Sequence, residues 1–256
     1  MSNEIPKVIH YCWFGGKPLP KLAVKCIESW KKYLPDYEIK RWDETNFDVN
    51  AIAYTAQAYE NKKYAFVSDY ARFWILYHHG GLYFDTDVQV VKGMEDIVAR
   101  GAFMGCENPA SPDGDPKDLH VAPGLGLGVT AGHPFYKELL EFYSTLKFVK
   151  EDGSLNLDTV VDYTTGLLIK YGLRNSGEIQ EVAGIWIYPW DYFCPMTPTL
   201  VLNLTENSRT IHLYSASWCS PGVRFRKKVK RLLGNNVIKV IQPVAVAVRK
   251  ILKYLS

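Results

Sequence analysis

Two carboxylates spaced two residues apart are the part of this sequence whose residue types point most directly to chemistry. Asp85 and Asp87 lie within residues 80–91, where apolar residues flank them on both sides. On an extended strand, residues i and i+2 lie on the same face, so both side chains could converge on one hard cation. Without a cation, the two carboxylates would repel each other and lose hydration beside an apolar strand. The spacing therefore predicts a divalent-metal site that handles a phosphate-bearing ligand.

A second pair of charged residues, Asp69 and Arg72, precedes the carboxylates in the segment Ser-Asp-Tyr-Ala-Arg at residues 68–72. Residues three apart on a helix share a face, and an exposed pair of this kind contributes only tenths of a kcal/mol. The residues that follow are apolar, however, and Gly80 and Gly81 lead directly from this segment to the carboxylates. We expect Asp69 and Arg72 to face the same cleft, where they could hold sugar hydroxyls and a phosphate.

Aromatic and imidazole side chains supply further candidates. Trp13 follows a short apolar run and precedes Gly15 and Gly16. Ligands of α/β sheets bind beyond the carboxyl ends of the strands, so Trp13 could present a flat face to a nucleobase, or it could pack in the core. His212 could complete an oxygen and nitrogen shell around a Mn²⁺-like ion, or it could be structural. His10 is interpreted as a core residue.

The pattern of apolar residues predicts the elements that must position these side chains. Short apolar or alternating runs predict strands over residues 8–14, 37–42, 82–91, 102–106, 124–129, 185–188 and 210–214. Longer segments predict helices over residues 19–34, 51–61, 68–79, 134–146 and 157–171, with Ser68 as a helix N-cap and Gly80-Gly81 as a stop. Alternating helices and strands indicate an α/β sheet with helices on both faces.

Composition and cysteine usage narrow the class of protein. A chain of 256 residues with 47% hydrophobic residues can form one large domain, with or without an appendage. The five cysteines are odd in number and widely spread, and no pair has C-x-x-C spacing, so neither a disulfide framework nor a zinc site is expected. The sequence shows no signal-peptide pattern and no apolar run long enough to span a membrane, and we expect a cytoplasmic protein.

The C-terminal part of the chain is strongly basic. Residues 207–256 contain 11 lysines and arginines and no acidic residue, and residues 224–231 form the densest basic run. Val, Ile and Leu dominate between these charges, which is typical of an interfacial helix on an anionic bilayer. Two alternatives are a terminal helix packed on the domain and a nucleic-acid-binding segment. No nucleic-acid motif accompanies the run, so we expect a peripheral membrane contact and no nucleic-acid partner.

The order of the motifs W-x-G-G, S-D-x-x-R and G-G-x-Y-x-D-x-D resembles glycosyltransferase family 32. This family includes the yeast initiating α-mannosyltransferase, bacterial capsule enzymes and, more remotely, the glucosyltransferase domains of large clostridial toxins. The opening residues 5–10 also look like this family, and the resemblance is strongest over residues 5–91. It implies a GT-A-type fold with a central, mostly parallel sheet flanked by helices over residues 1–221, followed by a basic amphipathic helical tail over residues 222–256.

The resemblance also implies roles for individual residues. Asp85 would contact the ribose or sugar and bridge to the metal, which Asp87 would bind directly and His212 would complete. Asp69 and Arg72 would contact the donor sugar and phosphate, and together with Asp85 they would form the catalytic group. The donor would further contact the base-stacking Trp13, then Gly15 and Thr86, and Ser217 and Trp218, which would close over the diphosphate.

These implications predict a retaining glycosyltransferase that depends on Mn²⁺ or Mg²⁺. It would move a sugar from a nucleotide-diphosphate donor, by default a UDP-sugar, to a lipid-linked or polysaccharide acceptor at the inner face of the cell membrane, in the synthesis of surface glycans such as a capsule. Two other classes remain open. Phosphatases of the haloacid-dehalogenase type also place D-x-D after an apolar strand, with the first carboxylate, here Asp85, as nucleophile. The third class is a non-catalytic glycan-binding protein.

Overall fold

The computed structural model describes residues 4–111 and 113–215. The predictions for Ser217, Trp218 and the basic tail lie outside these residues. The described strands are β1 (Val8–Cys12), β2 (Glu38–Trp42), β3 (Gly81–Tyr83), β4 (Val88–Val90), β5 (Phe103–Gly105), β6 (Leu127–Val129), β7 (Gln180–Val182), β8 (Ile185–Tyr188) and β9 (Thr210–His212). The helices are α1 (Lys21–Tyr33), α2 (Ala53–Glu60), α3 (Tyr64–His79), α4 (Glu95–Val98), α5 (Pro134–Ser144), α6 (Val160–Lys170) and α7 (Trp190–Phe193).

A central sheet organises the described part of the chain, in the strand order β2-β1-β3-β6-β5-β8-β7. Strand β1 pairs in parallel with both β2 and β3, and β5 pairs in parallel with β8. The pairs β3–β6, β5–β6 and β7–β8 are antiparallel, which makes the sheet mixed. The predicted α/β class with a central sheet is confirmed.

Helices cover both faces of this sheet, as predicted. Along β1, Ile9 and Tyr11 join an apolar cluster with Trp30 of α1, whereas Cys12 belongs to the opposite cluster with residues of α2, α3, α5 and α6. Successive side chains of a strand point to opposite faces, so this alternation places one layer of helices on each side. A strand buried on both faces explains why β1 reads as a continuous apolar run.

The strand predicted over residues 82–91 is wrong in its middle. Strand β3 ends at Tyr83, and β4 begins at Val88 in a separate two-stranded sheet with β9. Between them the chain turns, because the backbone N–H of Val88 donates to the carbonyl of Asp85 (3.0 Å) and that of Asp85 donates to Gly124 (2.9 Å). Asp85 and Asp87 therefore lie in a connection between two sheets and not on one face of a strand.

Helix α3 begins four residues earlier than predicted, at Tyr64, so Ser68 is not its N-cap. The Ser68 hydroxyl instead donates to the Tyr64 carbonyl inside the helix (3.1 Å). The helix ends as predicted at Gly80-Gly81, where φ is +64° and +102°. A Cβ on Gly81 would lie 2.6 Å from the Val8 carbonyl oxygen, so this glycine lets α3 return closely onto β1. Among the described residues, no helix is both long and apolar enough to cross a membrane.

Candidate active site

Arg72 is the centre of the candidate site. It lies on α3, its residue is 3% exposed, and its Nη2 lies 2.8 Å from Asp69 Oδ1 and 3.3 Å from Asp85 Oδ1. Its Nε donates to the Ser68 carbonyl one turn earlier (3.2 Å), which fixes the guanidinium against the helix. Because β3 follows α3 through two glycines, the helix face and the strand end meet, and the predicted convergence of Asp69, Arg72 and Asp85 is present.

Tyr83 is a site residue that the sequence reasoning missed. Its hydroxyl donates to Asp85 Oδ1 (3.1 Å), and its ring lies 5.0 Å from the Arg72 guanidinium carbon. It stands two residues before Asp85 on β3, so its i, i+2 spacing in the G-G-x-Y-x-D motif was the available signal. Tyr83 and Arg72 together hold one oxygen of Asp85 and leave the other oxygen uncommitted.

One guanidinium serves two carboxylates here, and the site therefore keeps an excess of negative charge. Burial raises the pKa of Asp69 to about 7, because Arg72 offsets the loss of hydration only in part and Asp85 adds repulsion. Burial also raises the pKa of Asp85, against the attraction of Arg72 and with added repulsion from Asp87. A further cation at this site would relieve both effects.

Gly124 leaves open space beside the Asp85 carboxylate. A Cβ built on Gly124 would lie 2.0 Å from Asp85 Oδ2 and 3.2 Å from an Arg72 nitrogen, while the Gly124 carbonyl accepts the Asp85 backbone N–H. Only a residue without a side chain leaves this oxygen open. The predicted glycine-rich segment over residues 124–129 was the signal, although its role beside the carboxylate was not foreseen.

Asp87 is held by a different part of the chain. Its Oδ2 accepts from the backbone N–H (2.9 Å) and the hydroxyl (2.8 Å) of Ser215, and it lies 3.4 Å from His212 Nε2. Leu213 N–H donates to the Asp87 carbonyl (2.9 Å), which continues the pairing of β4 with β9. The sequence reasoning named His212 but missed Ser215, for which separation along the chain left no signal.

The pairing sets the charges of Asp87 and His212. Burial opposes ionisation of Asp87, but His212 and the two Ser215 hydrogen bonds outweigh it and lower its pKa to about 2. Burial likewise opposes protonation of His212, but Asp87 and the neighbouring Cys194 outweigh it and raise its pKa to about 10. In this arrangement His212 is an imidazolium that neutralises Asp87.

The two aspartates fit a divalent cation as oxygen ligands. Within the described residues, Asp85 Oδ2 and Asp87 Oδ1 have no hydrogen bond or ion pair, and Gly124 leaves the space beside the first of them open. The Nε2 atom of His212 already contacts Asp87. In residues 4–111 and 113–215, no group of three His, Cys, Asp or Glu side chains is arranged as a metal site. His212 as third ligand stays a prediction, and ligand oxygens would complete the shell.

Trp13 and Thr86 line a cleft beside Asp87, which is where a donor base was predicted. The remaining lining residues are Pro20, Leu22, Ala23 and Ser215. Trp13 Nε1 donates to the Lys17 carbonyl (2.6 Å), so the ring is oriented by the following loop. The indole is only partly buried and forms part of the cleft lining.

Gly15 shapes the loop after Trp13. Its φ is +93°, its N–H donates to Glu44 Oε1 (2.5 Å), and a Cβ would collide with the Tyr64 ring. Its observed contacts are with the protein, and its donor contact stays a prediction.

His10 is a core residue, as interpreted from the sequence. Its Nδ1 accepts from Trp42 Nε1 (3.0 Å), its Nε2 lies 3.0 Å from the Gly80 carbonyl, and burial lowers its pKa to about 4.

Comparisons with known proteins show what this chain is similar to. Residues 20–104 match the family described as "Glycosyltransferase sugar-binding region containing DXD motif". "Inositol phosphoceramide mannosyltransferase 3" of Schizosaccharomyces pombe is 29% identical over 193 residues, which is 74% of this chain and 50% of that protein. "Mannosyl phosphorylinositol ceramide synthase CSH1" of Saccharomyces cerevisiae is 24% identical over 73% of this chain and 48% of its own length.

The chain therefore spans about half the length of these two curated relatives. Among solved structures, "PaToxG Glycosyltransferase" is 21% identical with a TM-score of 0.49, over 65% of this chain and 69% of that one. The galactosyltransferase LgtC in complex with donor and acceptor sugar analogs is 14% identical with a TM-score of 0.39, over 86% of this chain and 82% of that one.

The matched region runs from α1 to β5 and contains the charged centre of the site. Asp69, Arg72, Asp85 and Asp87 all fall inside it, whereas Trp13 and Ser215 fall outside. Residues 20–104, with the D-x-D motif at residues 85–87, are therefore similar to the DXD-containing sugar-binding region of glycosyltransferases, and the chain as a whole is similar to curated mannosyltransferases.

Proposed function

We propose that this protein is a metal-dependent glycosyltransferase that moves a sugar from a nucleotide-diphosphate donor to a lipid-linked or polysaccharide acceptor. The observation that carries the proposal is the convergence of Arg72, Asp69, Asp85 and Asp87 beside the cleft lined by Trp13. This arrangement offers an aromatic face, a fixed cation and two uncommitted carboxylate oxygens at one place. Those features match the base, the phosphates with their cation, and the sugar of such a donor.

Different residues of the chain would contact the base, the diphosphate and the sugar of the donor. Trp13 stacks on the base, and Thr86 and Gly15 line the path from base to diphosphate. Arg72 is a permanent cation, because its pKa lies far above neutrality beside Asp85, Tyr83 and Asp69, and it stabilises negative charge on the leaving group. Asp69 accepts a hydrogen bond from a sugar hydroxyl, and Asp85 contacts the sugar or the ribose.

Asp85 and Asp87 would hold Mn²⁺ or Mg²⁺. His212 would be the third ligand only after metal binding displaces a proton from its imidazolium, because a metal binds the neutral ring. Such an ion neutralises the diphosphate as the glycosidic bond breaks, without any proton transfer. Ser215 and His212 keep Asp87 ionised and oriented for this task, since they lower its pKa to about 2. Tyr83 and Arg72 orient Asp85 through their contacts with its Oδ1.

Retention of configuration belongs to the proposal as well. The acceptor hydroxyl would approach from the face of the leaving group, so that the new C–O bond forms as the bond to phosphate breaks. No dedicated base is required on that path, because the proton of the acceptor hydroxyl passes to the departing phosphate oxygen on the same face. The buried side chains of the site are consistent with binding and orientation.

The relatives suggest which sugar and acceptor to try first. Two of them are named as mannosyl-transferring enzymes of inositol phosphoceramide, so a mannosyl donor and a phosphoinositol lipid acceptor join UDP-sugars in the first panel.

The predicted basic tail is the reason to place the protein at the inner face of the cell membrane, in the synthesis of a capsule or other surface glycan. Flotation with liposomes, comparing the full chain with one truncated after Pro221, tests the anchoring role of that tail.

Turnover of nucleotide sugars tests the proposal. The full chain is incubated with a panel of uridine- and guanosine-diphosphate sugars, with and without Mn²⁺, and release of the nucleoside diphosphate is measured. We expect one donor to be cleaved in a metal-dependent way and Asp87→Ala to lose at least about a hundredfold in rate, as loss of a metal-stabilised charge implies. Asp36→Asn, at an exposed carboxylate that pairs with the exposed Lys7, is the control.

Three outcomes would contradict the proposal. Full activity of Asp87→Ala on the true donor would remove the metal role. Release of phosphate with a phospho-aspartate intermediate and no sugar acceptor would favour a phosphohydrolase. Calorimetric binding of a glycan without dependence on nucleotide sugar or metal would favour a binding protein.

A further inference from the structure

Four of the eight large apolar side chains that are well exposed in the described residues occur within five consecutive positions. They are Leu200 (44% exposed), Val201 (55%), Leu202 (44%) and Leu204 (55%). The other four are scattered over α1, α5 and two loops. Single exposed apolar residues are ordinary on protein surfaces, but a contiguous group marks a contact site. We call residues 198–204 the apolar loop.

The apolar loop is a defined turn. Met196 and Leu202 form an antiparallel bridge, Thr197 N–H donates to the Val201 carbonyl (2.9 Å), and Leu200 N–H donates to the Thr197 carbonyl (2.8 Å). Leu200 adopts φ +65°, a conformation in which Gly or Asn would cost less. A leucine at the most exposed bend of a turn therefore points to a use for its side chain outside the fold.

The base of the apolar loop is tied to the candidate active site. Asp191 Oδ2 accepts from Thr205 Oγ1 and from Asn207 Nδ2 (2.9 Å each), and the Ser208 hydroxyl donates to the Asp191 carbonyl (2.8 Å). The chain then enters β9, whose last residue, His212, pairs with Asp87. A surface that binds the apolar loop would therefore lie at a fixed position relative to Asp87.

The chemistry of the occupant follows from the arrangement of the exposed side chains. Leu200 and Val201 lie in the turn and Leu202 lies on its returning limb, and all three are 44–55% exposed. A medium that surrounds the turn can contact all of them at once. Residues 192–205 contain no charged side chain, and residues 207–256 contain 11 basic residues and no acidic one. An uncharged apolar tip beside a basic segment suits the interface of an anionic lipid bilayer.

We propose that the apolar loop inserts into the interfacial layer of an anionic membrane and sets the active-site cleft against that surface. The lipid-linked nature of the acceptor rests on the proposed function, whereas the insertion does not. The loop would supply the apolar part of membrane binding and the basic tail would supply the electrostatic part. Salt then separates the two, because it screens the charges and leaves apolar insertion in place.

Vesicle partitioning of the full chain tests the proposal, using phosphatidylcholine vesicles with and without phosphatidylserine. The variant Leu200→Asn/Val201→Asn removes both apolar tips, keeps the net charge, and places at position 200 a residue that tolerates φ +65°. We expect its partition coefficient to fall at least about tenfold at low and at high salt. Leu157→Asn, at a 57% exposed leucine away from the loop, should leave partitioning unchanged.

A second variant reports insertion directly. Val201→Cys, labelled with an environment-sensitive dye, should show a blue shift and protection from an aqueous quencher when anionic vesicles are added. Unchanged partitioning of Leu200→Asn/Val201→Asn, or a dye that stays accessible on vesicles, would overturn the proposal. A dye that is already shielded without vesicles would identify this chain or a second copy as the occupant, and would also overturn it.

Donor hydrolysis without vesicles separates this inference from the proposed function. Leu200→Asn/Val201→Asn should hydrolyse the donor at the wild-type rate, because the loop residues do not contact the cleft. If the wild-type chain cleaves no donor while partitioning depends on the apolar loop, the proposed function fails and the membrane contact stands.

Discussion

Asp85 and Asp87 are two residues apart in the sequence, yet different parts of the molecule hold them. Asp85 is fixed by near neighbours in the chain, since Arg72 and Tyr83 both lie within 13 residues of it. Asp87 is fixed by His212 and Ser215, which lie more than 120 residues away. One half of the site is built by a local helix–turn–strand unit, and the other half by the return of a distant strand.

The electrostatics of the two halves differ in the same way. Around Asp85, one guanidinium is shared with Asp69, and the pKa of both carboxyl groups is raised. Around Asp87, a dedicated imidazolium and two hydrogen bonds lower the pKa of the carboxyl group to about 2. The first half is therefore short of positive charge, while the second is already neutralised. A bound cation would stabilise chiefly the first half.

Arg72→Met is the substitution from which we expect the largest effect on the first half of the site. Removing the shared guanidinium leaves Asp69 and Asp85 without a cation inside the protein, and breaking a buried ion pair in this way costs about 3–5 kcal/mol of unfolding free energy. Urea denaturation measures the loss. Arg41→Met is the matched control, because Arg41 also pairs with an aspartate (2.9 Å to Asp43) but its side chain is 38% exposed, and such pairs contribute about 1 kcal/mol or less. Equal costs for both variants would contradict the role given to Arg72.

Gly124→Ala moves one oxygen of Asp85 without touching Asp87. Its Cβ would lie 2.0 Å from Asp85 Oδ2, so the carboxylate must shift. A misplacement of this size at a catalytic group costs roughly a hundredfold in kcat/KM, against a folding cost of about 1–3 kcal/mol for the added methyl group. Steady-state kinetics and urea denaturation separate the two effects.

Gly177→Ala is the control for that substitution, since a Cβ there meets nothing within 4 Å. Wild-type kinetics for Gly124→Ala would show that Asp85 Oδ2 does not need the open space beside Gly124.

How much the sequence predicts follows the same division. The convergence of Asp69, Arg72 and Asp85 could be predicted because a helix face, a glycine turn and a strand end follow one another directly. Trp13 at the cleft followed from its place at the end of β1. The sheet with helices on both faces could be predicted from the alternation of apolar segments.

The prediction failed where tertiary contacts decide the local conformation. Apolar residues on both sides of residues 84–87 favour a continuous strand, but the hydrogen bond from Asp85 N–H to Gly124 draws the chain out of the sheet. Ser68 has the residue type of an N-cap, but Lys63 and Tyr64 begin α3 without any side-chain cap. Ser215 carries no local signal, because only the pairing of β4 with β9 brings it to Asp87. Short elements such as β7 and α7 offered too few residues to show a period.

Ser215→Ala tests the half of the site that the sequence did not predict. It removes the hydroxyl donor to Asp87 (2.8 Å) and keeps the backbone donor (2.9 Å). A hydrogen bond to a charged group contributes about 1.5–3 kcal/mol, so we expect roughly a tenfold loss of donor turnover at limiting Mn²⁺, with partial recovery at saturating Mn²⁺. Ser144→Ala, whose exposed hydroxyl bonds only the Glu141 carbonyl, is the control. An unchanged metal requirement in Ser215→Ala would separate Asp87 from metal binding.

The last test concerns the pH dependence of the unfolding free energy. The pKa of Asp69 is raised from 3.8 to about 7 by burial in the folded protein, so folding favours its protonated form. Stability from this group is fully present below about pH 4 and is lost as the pH rises through about 7. The value of about 7 already includes the attraction of Arg72, so the whole difference between 3.8 and about 7 contributes to the pH dependence.

Asp69→Asn isolates this contribution, because asparagine keeps the shape of the side chain and does not titrate in this range. Urea unfolding of the metal-free protein at several pH values should give a difference between wild type and variant that changes steadily from about pH 4 to about pH 7 and then levels off. A difference that stays constant over this range would mean that Arg72 alone compensates Asp69. The site would then hold no excess negative charge on the α3 side, and the contrast between its two halves would rest on Asp85 only.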